Sequence, residues 1–357
     1  MSIDPPRVEA VLIRGKAMNK NDSRPSTALL ILINGFQVSQ AIHVAARLGI
    51  ADLLTGGPRS SEDLAAATGA HAPSLYRLLR ALASVGVLRE NLDRRFSLTP
   101  IGDCLRSDSR SPVGPWASYI GEPAYRRAWG QLEHSVRTGE TAFRHVHGMS
   151  AYEYRARNPE AGAVFDQAMT ALSRGTNEAL LDAYDFGRFR CVVDLGGGQG
   201  ALLAAILAKH RSLRGVLFDQ PHVVRGAEHV LTAAGVLDRC RIVAGSFFEG
   251  VPNGEDAYTL KFVLHNWTDE DAVAILRMCR RAIAPDGALL VIEREIGPPN
   301  EDPRVKLGDL NMLVGLGGRE RTRDEFEALF AAGGFRLMGA TPTQAQISII
   351  EGVPDPM

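Results

Sequence analysis

A chain of 357 residues exceeds one typical domain of about 100 to 200 residues, so it holds two or three domains, each able to bury a core. With 40 Lys and Arg against 41 Asp and Glu, no net field steers the whole molecule onto nucleic acid or an anionic membrane. Hydrophobic residues at 45% with 23% charged exclude a disordered or membrane-embedded chain and leave catalysis or small-molecule binding.

Residues 1–26, with Pro5, Pro6, Gly15 and Pro25 in no period, read as a mobile N-terminal arm. From Leu29 the pattern turns helical, placing Ile31, Phe36, Ala41, Ala45 and Leu48 on one buried face with Gly49 as the stop. The apolar run at 28–33 is six residues long, short of a signal-peptide core and far short of the ~18 that a membrane span needs. A short helix behind Ser60 or Ser61 carries Glu62 and Asp63 in its first turn. After Gly69, a second helix behind Pro73 and Ser74 carries Leu75, Leu78, Leu79, Leu82 and Val85. Val87-Leu88-Arg89 and Phe96-Ser97-Leu98 flank a polar turn at 90–95, so residues 27–110 follow the plan of a winged helix.

Residues 111–186 read as largely helical and rich in aromatics, a linker that could also wall the pocket of an aromatic ligand. From Arg190 strands alternate with helices. Apolar runs at 190–195, 215–219, 241–245, 257–264 and 288–293 are separated by helices at 201–210, 223–234 and 270–283. After a helix at 324–332, runs at 336–339 and 346–351 flank a Thr341-Pro342-Thr343 turn, so the last strand returns antiparallel. Residues 187–357 are therefore predicted to form an α/β domain with a doubly wound, mostly parallel, seven-stranded Rossmann-like sheet. Cys104, Cys191, Cys240 and Cys279 form no CxxC pair and have no zinc-type His spacing, and they read as free thiols in the cytoplasm. His145 and His147 lack a nearby third ligand, so no metal site is expected.

Val193-Asp194-Leu195-Gly196-Gly197-Gly198-Gln199-Gly200 follows a strand and opens a helix, where glycines let a ligand approach backbone N–H groups. Gly196 and Gly198 also satisfy a loose dinucleotide pattern, and Asp219 ends the next strand where a ribose-binding acid belongs. Asp194 breaks the tie. Its carboxylate would repel a pyrophosphate but suits a ligand carrying ammonium and sulfonium charges, such as S-adenosylmethionine. Ser246 and Phe247 bring a hydroxyl and a ring to the same sheet edge, fit for an adenine, while Phe248 reads as core. Lys261, in an otherwise apolar run, either needs a bound acceptor or snorkels to water from an edge.

His265 stands where the fourth strand ends, at the ligand edge of an open α/β sheet. An imidazole with a pKa of about 6.5 can take the proton of a phenol, whose pKa of about 10 leaves it poorly nucleophilic at neutral pH. Glu293 or Glu320 could accept from the other ring nitrogen, with Glu295 in reserve. Glu320 has a rival role, balancing Arg319 and Arg321 or aiding the N-terminus of the next helix.

Together with Phe218-Asp219-Gln220-Pro221-His222-Val223, Gly245-Ser246-Phe247-Phe248, Leu260-Lys261-Phe262-Val263-Leu264-His265-Asn266-Trp267 and Gly317-Gly318-Arg319-Glu320-Arg321-Thr322, the glycine motif resembles the class I S-adenosylmethionine-dependent O-methyltransferases. The likeness covers about residues 28–352 and points to the dimeric type that methylates phenolic and polyketide hydroxyls. It implies that Gly196, Asp219, Phe247 and Lys261 contact the cofactor, and Asp194, Gly198, Gln220 and Ser246 join them in the matching motifs. It implies further that His265 is the general base, that Glu293 and Glu320 hold it, and that S-adenosylhomocysteine is the product. Phe165, Met169 and Met312 stand at substrate-lining places, and the winged-helix region is implied to build a homodimer rather than to bind DNA. Asn266 and Ser246 depart from a pattern that often has Asp at both places. A related chemistry, decarboxylation or hydroxylation, is not excluded by any motif. The rival from another class is a DNA-binding regulator, but its test helix offers only Arg77 and Arg80.

Overall fold

The computed structural model describes residues 24–356, in two compact units. One comprises the chain up to residue 126 together with 159–172, the other 127–158 together with 173 onward. The arm expected over 1–26 lies outside the described residues through residue 23, and Pro25 already opens a helix.

In the first unit, helices Pro25–Ile33 and Gly35–Arg47 meet at Asn34. Only the later part of the expected face is buried. Ala45 is inside, but Ile31 and Phe36 are 40% and 55% exposed, and Leu29, Leu30, Leu32 and Ile33 are exposed beside them. The whole of Pro25–Arg47 is long and apolar enough by composition to cross a membrane, which the short run at 28–33 did not suggest. Gly49 at φ 64° ends the stretch, as expected.

Helix Ser61–Thr68 starts on a capping box between Ser60 and Asp63. Helix Ala72–Ser84 buries Leu75, Leu79 and Leu82 against Leu64, Leu88 and Phe96, whereas Val85, just past its end, is exposed. Strands β1 (Arg59–Ser60), β2 (Leu88–Glu90) and β3 (Arg95–Leu98) form a small antiparallel sheet in the order β1-β3-β2. Arg80 and Arg94 lie over the ring of Tyr76, so the helix of the DNA-binding rival has one of its two arginines committed to a ring. The stretch 111–186 is helical but is not one body. Its longest helix, Pro159–Ala183, starts in the first unit and ends in the second.

The second unit holds seven strands: β4 (Cys191–Leu195), β5 (Arg214–Asp219), β6 (Cys240–Ala244), β7 (Ala257–Lys261), β8 (Ala288–Glu293), β9 (Phe335–Pro342) and β10 (Ser348–Pro354). Their order is β6-β5-β4-β7-β8-β10-β9, parallel from β6 to β8, with β10 antiparallel to both neighbours. Both faces are covered, which is why the strands read as unbroken apolar runs. Val193, Leu195, Phe218 and Leu260 pack with Ile275, Leu276, Phe326 and Phe330 of two helices on one face. Val192, Leu217, Leu290 and Ile292 pack with Leu203 and Ile206 on the other.

Two boundaries differ from expectation. β7 stops at Lys261 instead of running through 264, because Phe262 takes φ 55° and Leu264–Asn266 coils into a 3-10 turn. Thr341 and Pro342 stay in β9, paired with Ile349 and Ser348, so the turn falls after them; as an edge strand, β9 tolerates the proline. β4 lies between β5 and β7, so the chain reverses its lateral course there, the switch point at whose carboxyl edge open α/β sheets bind their ligands.

Candidate active site

Two groups of candidate residues gather at this edge, one around Asp194 and Asp219 and one around His265. In the first, Gly196 leaves β4 at φ 68°, and a Cβ on it would come within 2.9 Å of Val263, so glycine is required there twice over. Asp219 at the end of β5 accepts from Gly198 N at 2.8 Å and Gln220 N at 2.6 Å. Each of its oxygens keeps a further lone pair for a ribose hydroxyl. Burial raises its pKa, and the two backbone donors oppose that. Gln220 contributes its backbone to this corner, and its side chain is exposed.

Asp194 is 1% exposed. Thr259 Oγ1 donates to one of its oxygens at 2.8 Å, and the other, Oδ2, is buried with no partner among the described residues. Burial lifts its pKa to about 6, against the pull of Thr259 and Lys261. An orphaned buried carboxylate oxygen is a site waiting for a cation, which fits the ammonium and sulfonium of S-adenosylmethionine. Lys261, half-buried at the end of β7, donates to Asn177 Oδ1 at 2.7 Å, and burial pulls its pKa down to about 8. It therefore has an internal acceptor and does not snorkel.

On the same edge Ser246 Oγ accepts from Phe248 N at 3.3 Å. Phe247, Phe248 and Trp267 cluster at centroid separations of 4.8 to 5.9 Å, all edge to face. Phe248 is 39% exposed rather than core. Trp267 was not singled out from the sequence, although its place two residues after His265 carried the signal.

In the second group, His265 sits on the 3-10 turn that follows β7. Its backbone N–H donates to Glu293 Oε1 at 3.1 Å, and its Nδ1 lies 3.0 Å from Glu320 Oε1. A carboxylate there selects the tautomer with the proton on Nδ1, leaving Nε2 as the free acceptor. His265, Glu293 and Glu320 are 8%, 0% and 1% exposed, and Oε2 of each glutamate has no partner among the described residues. Burial alone would lower the pKa of His265, but the two carboxylates outweigh it and raise it. Burial pushes Glu293 above the usual carboxylate range, His265 opposes this, and Glu320 adds to it. The ligand atoms of these three side chains lie within 4.8 Å of one another, close enough to grip a cation, although His265 already engages one oxygen of each glutamate.

The loop carrying Glu320 is fastened to the His265 turn. A Cβ on Gly318 would fall 2.2 Å from the His265 carbonyl oxygen, so only glycine permits this approach. Arg321, 1% exposed and not foreseen from the sequence, donates to the carbonyls of Leu264 and Trp267 at 3.0 Å each and to Asp269. Glu320 N donates to Asp309, which fixes the loop from the other side.

The rival role of Glu320 finds no support. Arg319 pairs with Asp269 and Glu325, Arg321 pairs with Asp269, and the next helix is capped by Thr322 and Glu325. Glu295 pairs with Arg323 instead of His265. Asn266 donates to the Phe262 carbonyl at 3.0 Å, bracing the turn rather than the imidazole. Met312 is buried in the second unit; Phe165 and Met169 belong to the first, where Phe165 packs edge to face on Tyr119. His145 stacks on His134 at 3.8 Å with rings 17° apart, and His147 rests on Phe143 and Tyr154.

A doubly wound sheet with a glycine loop after its first strand, an acid ending the next strand and an orphaned buried carboxylate oxygen beside them fits a methyltransferase of the S-adenosylmethionine type. Comparison with known proteins agrees. The O-methyltransferase domain matches residues 129–336, and the O-methyltransferase dimerisation domain matches 30–108. The chain is 47% identical to a phenazine O-methyltransferase, PhzM, of Lysobacter antibioticus over 92% of its length and 96% of that protein. The LaPhzM crystal structure superposes with a TM-score of 0.89 at 46% identity, covering 93% of this chain and all of that one. CalO1, a methyltransferase in calicheamicin biosynthesis crystallised with S-adenosylhomocysteine, gives a TM-score of 0.82 at 37% identity, covering 95% of this chain and all of that one. The chain belongs to the S-adenosylmethionine-dependent O-methyltransferase family.

The raised pKa of Asp194 has a sign. A carboxyl that holds its proton more tightly when folded contributes stability that is complete below its unfolded pKa of about 4 and is lost as pH rises through about 6. Asp194→Asn removes that titration. In cofactor-free protein, the variant should gain about 2 to 3 kcal/mol over wild type between pH 4 and pH 7 by chemical denaturation. Identical pH dependence in both proteins would contradict a charged, unpaired Asp194.

Proposed function

We propose that the protein transfers the methyl group of S-adenosylmethionine to a hydroxyl of an aromatic or polyketide-type small molecule, with His265 as the general base. The observation that carries this reading is the buried imidazole whose Nδ1 is held by Glu320 and whose Nε2 is left to accept a proton. When bound, the cofactor supplies an electrophilic methyl on a sulfonium. Gly196, Gly198, Asp219 and Gln220 hold the ribose side, Ser246 and Phe247 the adenine, and Asp194 and Lys261 the charged amino-acid end. His265 Nε2 takes the hydroxyl proton of the acceptor as its oxygen gains the methyl, and Glu320 and Glu293 stabilise the imidazolium. The protein's remaining contribution is alignment and exclusion of water. Within the unit that holds the sheet, Met312 is assigned to the wall around the acceptor.

His265→Ala should bind S-adenosylhomocysteine normally yet lose methyl transfer by 100-fold or more, on the order of what a general base contributes. The assay is labelled S-adenosylmethionine with a panel of phenols, read by product mass. Unchanged turnover in the variant refutes the base, and a hydroxylated or decarboxylated product places the chain with the other chemistry.

The exposed apolar face of 30–36 lies in the stretch matched by the dimerisation domain, and we assign it to a homodimer interface. Replacing both Leu30 and Ile33 by Asp should give a monomer in sedimentation, whereas a monomeric wild-type protein would exclude the interface.

A further inference from the structure

Asn177 belongs to none of the motifs described above, yet among the described residues it is the one hydrogen-bond partner of Lys261. It lies near the end of helix Pro159–Ala183, in the same unit as the sheet, and is 6% exposed. Its carbonyl oxygen accepts from Lys261 Nζ at 2.7 Å, and its amide nitrogen donates to the Ala201 carbonyl at 3.1 Å. Ala201 is the first residue of the helix that leaves the glycine loop, directly after Gly200. One buried amide thus ties the end of β7 to the exit of the glycine loop.

The same lysine has a second suitor. Asp194 Oδ2 is buried without a partner on the neighbouring strand, and its negative charge acts on Lys261. A lysine turns freely about its four-carbon stem and, if released, closes onto an unpaired carboxylate. That closure would occupy the oxygen that a cationic ligand needs.

We propose that Asn177 is a positioning residue for the nucleoside cofactor, which holds Lys261 away from Asp194 and so keeps the cation-binding oxygen open. This rests on the reading that Asp194 and Lys261 face the cofactor. Asn177 acts through Lys261 and Ala201 and touches no reacting atom. In helix Pro159–Ala183 an alanine at 177 is a good helix former, so Asn177→Ala removes both bonds without breaking the helix.

The test measures S-adenosylhomocysteine affinity by calorimetry, with KM and kcat, for Asn177→Ala, Asn177→Asp, Lys261→Met and the Asn177→Ala, Lys261→Met double variant. Asn177→Ala should weaken binding and raise the cofactor KM about tenfold, the size of one or two lost hydrogen bonds, with kcat within about twofold. Its cofactor-free thermal midpoint should not fall, because the released lysine gains Asp194. Asn177→Asp keeps an acceptor on Lys261 but loses the donor to the Ala201 carbonyl, and should recover part of the affinity. The double variant should bind little worse than Lys261→Met alone, since Asn177 has no lysine left to hold.

If Lys261→Met weakens binding but Asn177→Ala does not, the positioning role is overturned and the cofactor reading stands. Normal binding by Lys261→Met shows that Lys261 does not serve the cofactor, which removes the reading on which the proposal rests and overturns the proposal. A lower thermal midpoint with unchanged affinity shows a merely structural asparagine and also overturns the proposal.

Discussion

One imidazole and two carboxylates share a pocket from which water is almost excluded, and the structure around them answers that constraint. Burial and the neighbouring Glu320 push the Glu293 carboxyl above the usual carboxylate range, and His265 opposes them. The ring nitrogen and backbone N–H of one residue satisfy one oxygen of each. The pair is weak evidence for stability, because desolvation offsets most of its attraction. In the proposed role its effect is chemical, since it fixes the tautomer and leaves Nε2 to take a proton.

Several features follow from the need to bring Glu320 to His265 from a distant segment. Gly318 lets the loop backbone touch the His265 turn, Arg321 staples the two together, and β7 ends early so that the turn can form at all. Around Asp194 the logic is reversed: Thr259 satisfies one of its oxygens, the other has no partner among the described residues, and in the proposed role a cationic ligand offsets the cost of that burial.

Most of the fold was legible because its strands are covered on both faces and its helices on one, so hydrophobic period alone located β4 to β8. What escaped has local causes. A positive φ at Phe262 is invisible to periodicity, so β7 read too long. Ile31 and Phe36 carry the right period for a buried face, but a period does not say whether the covering partner lies in the same chain. The candidate residues announced by a strand end or a glycine motif, Asp194, Asp219, Lys261 and His265, lie at the carboxyl edge of the sheet, and Glu293 and Glu320 lie against His265. Those that act through tertiary contact were not so announced. Arg321 looked like a charge neighbour of Glu320, and Asn177 is a single polar residue on a long helix with no motif around it. The choice between Glu320 and Glu295 turned on where Arg319, Arg321 and Arg323 find their partners.

The claim that His265 is a base tuned by its carboxylates is tested most directly by the pH dependence of kcat/KM in wild type and Glu320→Gln. The wild-type rate should rise with pH through the raised pKa of His265. In the variant the acidic limb should move to lower pH and the plateau should fall, because a weaker base forms a less stabilised imidazolium. An acidic limb that stays where it is when Glu320 loses its charge would contradict the account.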